Sequence, residues 1–474
     1  MRSLFLQGPS FDGYDGGAGA RYQMKREVKS FWYPTWLAQP AALVEGSKLI
    51  DAPAHDLSWD DIAHEVDDKD LVVLHTSTPS FRQDVRTAEL IKARNPKALI
   101  GMIGAKVAVE TQKSLEASTA VDFVCRNEFD FTIKDVADGI PLADIAGISF
   151  RNAAGEIIHN PDRPVIMDMD TLPWVTPIYK RDLDHTKYFG GYLLHPYISF
   201  YTGRGCKSRC TFCLWPQTVG GHNYRTRSIE NVVAEVKYTM ATWLDVKEIF
   251  FDDDTLTDNA PRVEALAVEL GKLGVTWSCN AKANVPRRTL EIMKANGLRL
   301  LLVGYESGNQ QILINIKKGL RTEVARQFTK DCHDLGIVIH GTFILGLPGE
   351  TRETMEETMK YAMDLNPHTI QVSLAAPYPG TFLYKQATEN GWFDNQAELL
   401  TDGGEQIAQL SYPHLDSKEI FDAVEVFYRR YYFRFSKIKD IVWEMLRDRQ
   451  MMKRRLREGV EFFAFLRHRK ESAA

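Results

Sequence analysis

Three thiols, Cys206, Cys210 and Cys213, fall in the stretch Gly203-Arg-Gly-Cys-Lys-Ser-Arg-Cys-Thr-Phe-Cys-Leu-Trp-Pro216. Thiolates spaced C-x3-C-x2-C are metal ligands, and iron–sulfur clusters and many structural zincs take four of them. Here there are three, because Cys125, Cys279 and Cys332 stand alone and far away in the chain. A metal centre on these thiols keeps one corner open, where a small chelating molecule can bind. Two other arrangements compete. Positions 206, 210 and 213 would share one face of a helix as buried thiols, and His222 would serve as a fourth ligand to zinc. Gly203 and Gly205 oppose a helix here, and Pro216 discourages its continuation. The apolar run Pro196-Tyr-Ile-Ser-Phe-Tyr201 just before them reads as a strand, so the thiols are expected on the loop that follows it.

The elements that must hold this loop follow from the rest of the chain. Its 474 residues correspond to about three domains. A hydrophobic content of 44% suffices for buried cores, and a net charge of −5 gives no basic footprint for nucleic acid. Six cysteines are too few for a disulfide framework in a chain of this length, which points to reduced thiols in the cytoplasm. The apolar run at the start is too short for a signal peptide, and no stretch approaches the ~20 residues of a spanning helix.

Residues 1–140 alternate short apolar strands with helical patterns. The strand signals are Leu4-Phe-Leu6, Lys48-Leu-Ile-Asp-Ala52, Asp70-Leu-Val-Val-Leu-His75, Ala98-Leu-Ile-Gly-Met-Ile-Gly104 and Val121-Asp-Phe-Val-Cys125, with a helix over 84–93. This predicts an α/β unit with a doubly wound, Rossmann-like parallel sheet, which binds ligands at the carboxyl ends of its strands. The glycine-rich segment 11–23 lacks the lysine and frame of a phosphate loop and reads as a flexible loop. His55 and His75 read as ordinary polar residues at strand ends. Residues 141–195 hold five prolines and a hairpin signal at Asn152-Ala-Ala-Gly155, and read as a linker.

From 196 to 400 six strand signals (197–201, 248–251, 276–280, 299–305, 338–345 and 369–374) alternate with helical patterns. That pattern predicts an open, partial (β/α)6 TIM-like barrel with its site at the carboxyl strand ends. Those ends carry Asp252 in Phe251-Asp-Asp-Asp-Thr255, then Lys282, then Glu306, then Gly346 within Gly341-Thr-Phe-Ile-Leu-Gly-Leu-Pro-Gly-Glu350. More ordinary roles are a solvated turn with a helix cap for the three aspartates and pairing with a surface lysine for Glu306. Residues 401–474 form a helical C-terminal region. Within it, 429–474 hold 14 Lys and Arg against 6 Asp and Glu, a net of +8, with aromatic residues interleaved. Such a basic amphipathic helix either lies on an anionic membrane surface or packs its apolar face on the barrel.

The thiol stretch, with the strand-end residues after it in this order, resembles the radical S-adenosylmethionine (SAM) superfamily. The resemblance implies a 4Fe-4S cluster on Cys206, Cys210 and Cys213, with the amino and carboxylate groups of SAM on the fourth iron. An electron from the cluster would cleave SAM to a 5′-deoxyadenosyl radical that abstracts hydrogen, the protein supplying placement and water exclusion. Phe212 then lies beside the adenine, Lys282 (where relatives usually have arginine) and Glu306 contact SAM with Asp252, and Gly346 admits the adenine ring.

Residues 1–140 resemble the cobalamin-binding domain that often precedes a radical SAM domain, implying cobalamin contacts at Pro9, Thr76, Ser77 and Gly104. Asp51-Ala-Pro-Ala-His55 lacks the D-x-H-x-x-G spacing that supplies a histidine lower ligand. A Rossmann-like domain that has lost its cofactor is the plainer alternative.

The opening Leu4-Phe-Leu-Gln-Gly-Pro-Ser10 with its continuation to Gln23, Lys29-Ser-Phe-Trp-Tyr-Pro-Thr-Trp36 and His75-Thr-Ser-Thr-Pro-Ser-Phe81 are similar to the hopanoid-biosynthesis branch of these proteins. That similarity implies an amphiphilic hopanoid substrate, a reductant such as flavodoxin or ferredoxin, and radical ring contraction of a glucosaminyl bacteriohopanepolyol head group to a cyclitol ether. The alternatives are a cobalamin-dependent radical SAM C-methyltransferase, whose product gains a methyl group, and a non-catalytic iron–sulfur sensor, which makes no 5′-deoxyadenosine.

Overall fold

A computed structural model describes residues 1–11, 30–394, 400, 406–447, 452–453, 456–457 and 459–460. Much of the glycine-rich segment, and most of the basic tail beyond 447, lie outside the described residues.

The first sheet has seven strands: β1 (Ser3–Gln7), β2 (Lys48–Asp51), β3 (Leu71–His75), β4 (Leu99–Ile103), β5 (Phe123–Cys125), β6 (Ile148–Arg151) and β7 (Ile157–His159). Their order is β2-β1-β3-β4-β5-β6-β7, the first five parallel and the last two antiparallel. Leu4, Phe5 and Leu6 of β1 and 71–74 of β3 are all buried, as expected for strands covered on both faces. Alternation along β1 divides them between two cores: Leu4 and Leu6 face one, Phe5 the other, and the second core runs on into the rest of the molecule. Strand order reverses at β1, which lies between β2 and β3. The crevice of such a sheet opens beyond the carboxyl ends at that point, where Pro9 and Thr76 stand. The hairpin β6–β7 falls within 141–195. That interval is therefore not all linker, since its hairpin forms the edge of the first sheet.

The second sheet begins with β8 (Tyr197–Phe200). A small antiparallel hairpin, β9 (Gly203–Arg204) with β10 (Arg225–Thr226), brackets the thiol loop. Then come β11 (Glu248–Phe251), β12 (Trp277–Lys282), β13 (Leu298–Glu306), β14 (Val338–Leu345) and β15 (Thr369–Leu374). The order β15-β14-β13-β12-β11-β8 is sequential and wholly parallel, an open half-barrel. Its edge at β15 is sealed by the helix Ser417–Tyr432. The Tyr432 and Tyr428 hydroxyls accept from the N–H groups of Ile370 (3.0 Å) and Val372 (2.9 Å), which removes the unpaired donors of an edge strand. Among the described residues no helix is long and apolar enough to cross a membrane.

Two buried arginines fasten the sheets together. Arg204 makes a two-pronged pair with Asp130 (2.6 and 3.1 Å), and Arg225 does the same with Glu128 (2.8 and 2.9 Å). The acids come from Arg126-Asn-Glu-Phe-Asp130, just beyond the carboxyl end of β5, and the arginines from the hairpin around the thiol loop. Trp36, from the helix Thr35–Leu43, stacks on Trp215 (5.0 Å, 11°) and lies under the Arg204 guanidinium. The carboxyl ends of both sheets thus meet at one interface. Removing one partner of a buried pair leaves an uncompensated charge, so Asp130→Ala should lose about 3–5 kcal/mol. The double variant Asp130→Leu, Arg204→Met should recover most of that loss, because Glu128 keeps Arg225. Denaturant midpoints of the two variants check this.

Candidate active site

The thiol loop is a tied loop and not a helix. Gly203 and Gly205 let it fold back on the following segment: a Cβ at Gly203 would stand 2.6 Å from the Arg225 carbonyl oxygen, and one at Gly205 (φ +90°) 2.3 Å from that of Asn223. Inside the loop the Cys206 N–H donates to Gly221 (3.3 Å), and the Thr211 N–H to Ile316 (3.0 Å). Gln217 Nε2 donates to the carbonyls of Cys213 (2.6 Å) and Cys210 (3.2 Å). A short helix, Leu214–Thr218, starts after the third thiol. Pro216 sits in its first turn, where the missing N–H is no loss, so this proline does not prevent a helix as expected.

Zinc with His222 as its fourth ligand fits poorly, because His222 turns Nδ1 to the Ser208 carbonyl at 2.9 Å and braces the loop backbone. Cys213 feels the charges of Cys210 and Cys206, as ligands of one centre would, and a 4Fe-4S cluster takes one thiolate on each iron. Burial pushes the Cys210 and Cys213 thiols upward, with Lys318 acting the other way.

The strand ends put charges around this loop. Lys282 is the last residue of β12, and its ammonium meets Asp258 Oδ1 at 2.5 Å. Asp258 Oδ2 lies 4.0 Å from Cys206 Sγ and accepts from the Lys207 N–H at 3.4 Å. Lys282 is thus tied to the thiol loop through a residue that sequence reasoning passed over. Glu306 ends β13 at φ +65°, where the register of the sheet shifts. A non-glycine residue held there stores about 1–3 kcal/mol of strain. Its partner is Lys318, at 2.6 Å, whose side chain is only 11% exposed, and not a surface lysine. Gly304 makes the pair possible, since a Cβ there would stand 2.3 Å from Glu306 Oε1 and 2.9 Å from Lys318 Nζ. Burial alone would lower the Lys318 pKa. Glu306, then Cys210, outweigh it and leave the ammonium raised. Lys318 was invisible in the sequence except as one of two adjacent lysines before Gly319.

The three aspartates separate in role. Asp253 is fully buried, pushed upward by burial, and accepts from Thr202 N–H (2.6 Å), Thr202 Oγ1 (2.7 Å) and Tyr224 OH (2.7 Å). It is a structural tie, not a solvated turn. Asp252 is half-buried and accepts from Asn280 (3.2 Å) and Tyr201 (3.3 Å). Phe212 is half-buried against the core. At Gly346 (φ +85°) the N–H donates to the buried Glu350 (2.6 Å), the carbonyl accepts from Tyr412 OH (2.8 Å), and Ile420 fills the space of a side chain.

In the first sheet Pro9, Thr76 and Ser77, and Gly104 follow β1, β3 and β4. Gly104 (φ +125°) abuts Thr76 so closely that a Cβ would stand 2.1 Å from its carbonyl oxygen. Beside them is the buried Asp84, pushed up to about 7 by burial, which accepts from Ser80 Oγ at 2.7 Å. Burial brings His75 down to about 4, so it is neutral near pH 7.

Glu350 allows a test of these electrostatics. Burial raises its carboxyl to about 8, well above an unfolded glutamate. The folded state therefore holds this proton between about pH 4 and 8 while the unfolded state has lost it, and its contribution to stability falls as pH rises through that window. Glu350→Gln should lack this decline. Denaturant midpoints at pH 5.5 and 8 should show the variant gaining on the parent as pH rises.

A family model described as the radical SAM superfamily matches residues 200–362. An uncharacterized methyltransferase of Pyrococcus horikoshii is 30% identical over 379 residues, spanning 77% of this chain and 81% of that protein. The anaerobic magnesium-protoporphyrin IX monomethyl ester cyclase of Rubrivivax gelatinosus is 26% identical, over 81% of this chain and 70% of its own. Among solved structures, the radical SAM methyltransferase TsrM from Kitasatospora setae superposes with a TM-score of 0.64 at 16% identity, covering 83% of this chain and 77% of that one. The cobalamin-dependent SAM radical enzyme OxsB superposes with a TM-score of 0.70 at 14% identity, covering 97% and 72%, so the shared fold includes both sheets. With three thiols on the loop after β8, a half-barrel behind them and a relative matched over most of its length, the chain belongs to the radical SAM superfamily and is a radical SAM enzyme.

Proposed function

We propose that the protein is a cobalamin-dependent radical SAM C-methyltransferase acting on a lipid or other amphiphilic substrate. The observation that carries this is the joint between the sheets: Arg204–Asp130 and Arg225–Glu128 hold the strand ends of a cobalamin-type sheet against the thiol loop. The relative named as a methyltransferase, matched over 81% of its length, supports methyl transfer. Ring contraction of a glucosaminyl hopanoid rests on the resemblance of residues 4–23, 29–36 and 75–81, of which 12–29 lie outside the described residues.

Cys206, Cys210 and Cys213 would hold three irons of a 4Fe-4S cluster, and the crevice of Pro9, Thr76, Ser77 and Gly104 would take cobalamin. When bound, cluster, SAM and cobalamin supply the electron, the radical and the methyl carrier. The chain's part is to place them. Lys318 and Glu306 set a cation and a carboxylate side by side in the field of Cys210. Each has the sign opposite to one group of an amino acid's carboxylate and ammonium, which is the end of SAM that reaches the iron. Asp258 fixes Lys282 beside Cys206. Arg204 stays charged and paired, so it anchors the loop without shuttling protons.

The test is anaerobic incubation of cluster- and cobalamin-loaded protein with SAM, a one-electron reductant and candidate amphiphiles, among them a glucosaminyl hopanoid. The expected result is a product heavier by one methyl group, with 5′-deoxyadenosine formed. Cys210→Ala should abolish 5′-deoxyadenosine. Lys318→Met should lower it by about tenfold or more, a loss of about 1.4 kcal/mol in transition-state stabilisation. A contracted, unmethylated hopanoid would overturn the methyl-transfer proposal, as would protein that retains no cobalt.

A further inference from the structure

The helix Phe435–Arg447 has two apolar faces: Ile441 and Met445, spaced by fours from Lys437, are half-buried, and a second stripe lies away from them. Among its side chains of described burial, Lys437 is the one buried, and its ammonium donates to the Pro367 carbonyl at 2.8 Å. The apolar side chains at 435, 438, 442 and 446 fall on one stripe by their spacing of three and four. They face solvent, with Phe435 86% and Leu446 74% exposed, and Ile438 and Val442 nearly half. Trp443, 56% exposed, flanks them.

The preceding helix does the opposite. Ser417–Tyr432 buries Ile420, Val424, Phe427, Tyr428 and Tyr431 and already seals β15. The barrel therefore has no need of the second stripe, and packing on it, one of the two roles expected for the tail, is not what this stripe does.

A surface apolar in one layer and anionic just above it matches both the stripe and the net positive charge of this end of the chain. Lys439 is exposed beside the stripe with Asp440 next to it, Arg429 and Arg430 are exposed at the end of the preceding helix, where they pair with Glu425 and Glu356, and residues 429–474 carry a net charge of +8 in sequence. We infer that this helix docks the enzyme on an anionic lipid bilayer, lying in the interface with 435, 438, 442 and 446 turned toward the acyl chains. Such a helix binds through buried apolar area together with attraction to anionic headgroups. It does not span the bilayer. The inference is independent of the reaction proposed above.

The test is flotation of the full-length, cluster-loaded protein with vesicles of phosphatidylcholine alone or mixed with phosphatidylglycerol. The mixed vesicles should retain at least about tenfold more protein, and raising salt to about 0.5 M should release much of it. Phe435→Ser with Leu446→Ser should lower binding by about tenfold. These side chains are exposed, so cluster absorbance and circular dichroism should not change. Equal binding by the double variant, or no preference for phosphatidylglycerol, would overturn the inference. So would sedimentation showing a dimer that the double variant converts to monomer, since a second copy would then cover the stripe.

Discussion

Arg204 stands two residues before the first thiol, and whatever fixes that arginine fixes the loop. It is fixed by a buried carboxylate from the other sheet and by the face of Trp36. Arg225, at the far end of the same hairpin, is fixed in the same way by Glu128. Two guanidinium groups and two carboxylates leave the interface neutral, which burial demands. Two-pronged pairs also accept few docking angles, since the planar fork must meet the carboxylate edge on. The lock therefore serves less to add stability than to set how one row of strand ends faces the other. A wholly apolar interface would leave that angle less defined.

Within this frame the charges nearest the thiols come in pairs as well. Lys318 answers Glu306, and Lys282 answers Asp258. Each cation has an acid as partner and neither acid is exposed, so both signs of charge stand close to the thiols. Glycines admit the close approaches: Gly304 makes room for one pair, and Gly205 for the fold of the loop. Burial holds the Cys210 and Cys213 thiols above their ordinary pKa, and thiols release protons when they take metal, so assembly of the centre is itself a pH-linked event.

Much of this was legible in the chain. Parallel strands covered on both faces read as continuous apolar runs, and 338–345 and 369–374 fall where the strands do. The thiol loop was legible because its spacing is dense and its glycines are placed where backbone meets backbone. What escaped notice was pairing across long separations. Arg204 and Asp130 are 74 residues apart, and no local pattern links them. Asp252, Asp253 and Asp254 look alike in a row, and burial alone distinguishes the middle one. Lys318 and Asp258 lie off the strand ends, on turns with no periodicity to mark them. The stripe on the last described long helix was visible as a period but not as a direction, because periodicity says that a face exists and not what it meets. Methyl transfer and ring contraction differ in substrate contacts that no strand pattern encodes.

The account's central claim is that the loop is held by its neighbours so that three thiolates leave one iron open to SAM. The most direct measurement is electron paramagnetic resonance of the reduced, oxygen-free protein with and without SAM. A 4Fe-4S signal whose g values shift on adding SAM is the predicted result. A signal that SAM leaves unchanged, in protein with a full complement of iron, would contradict it.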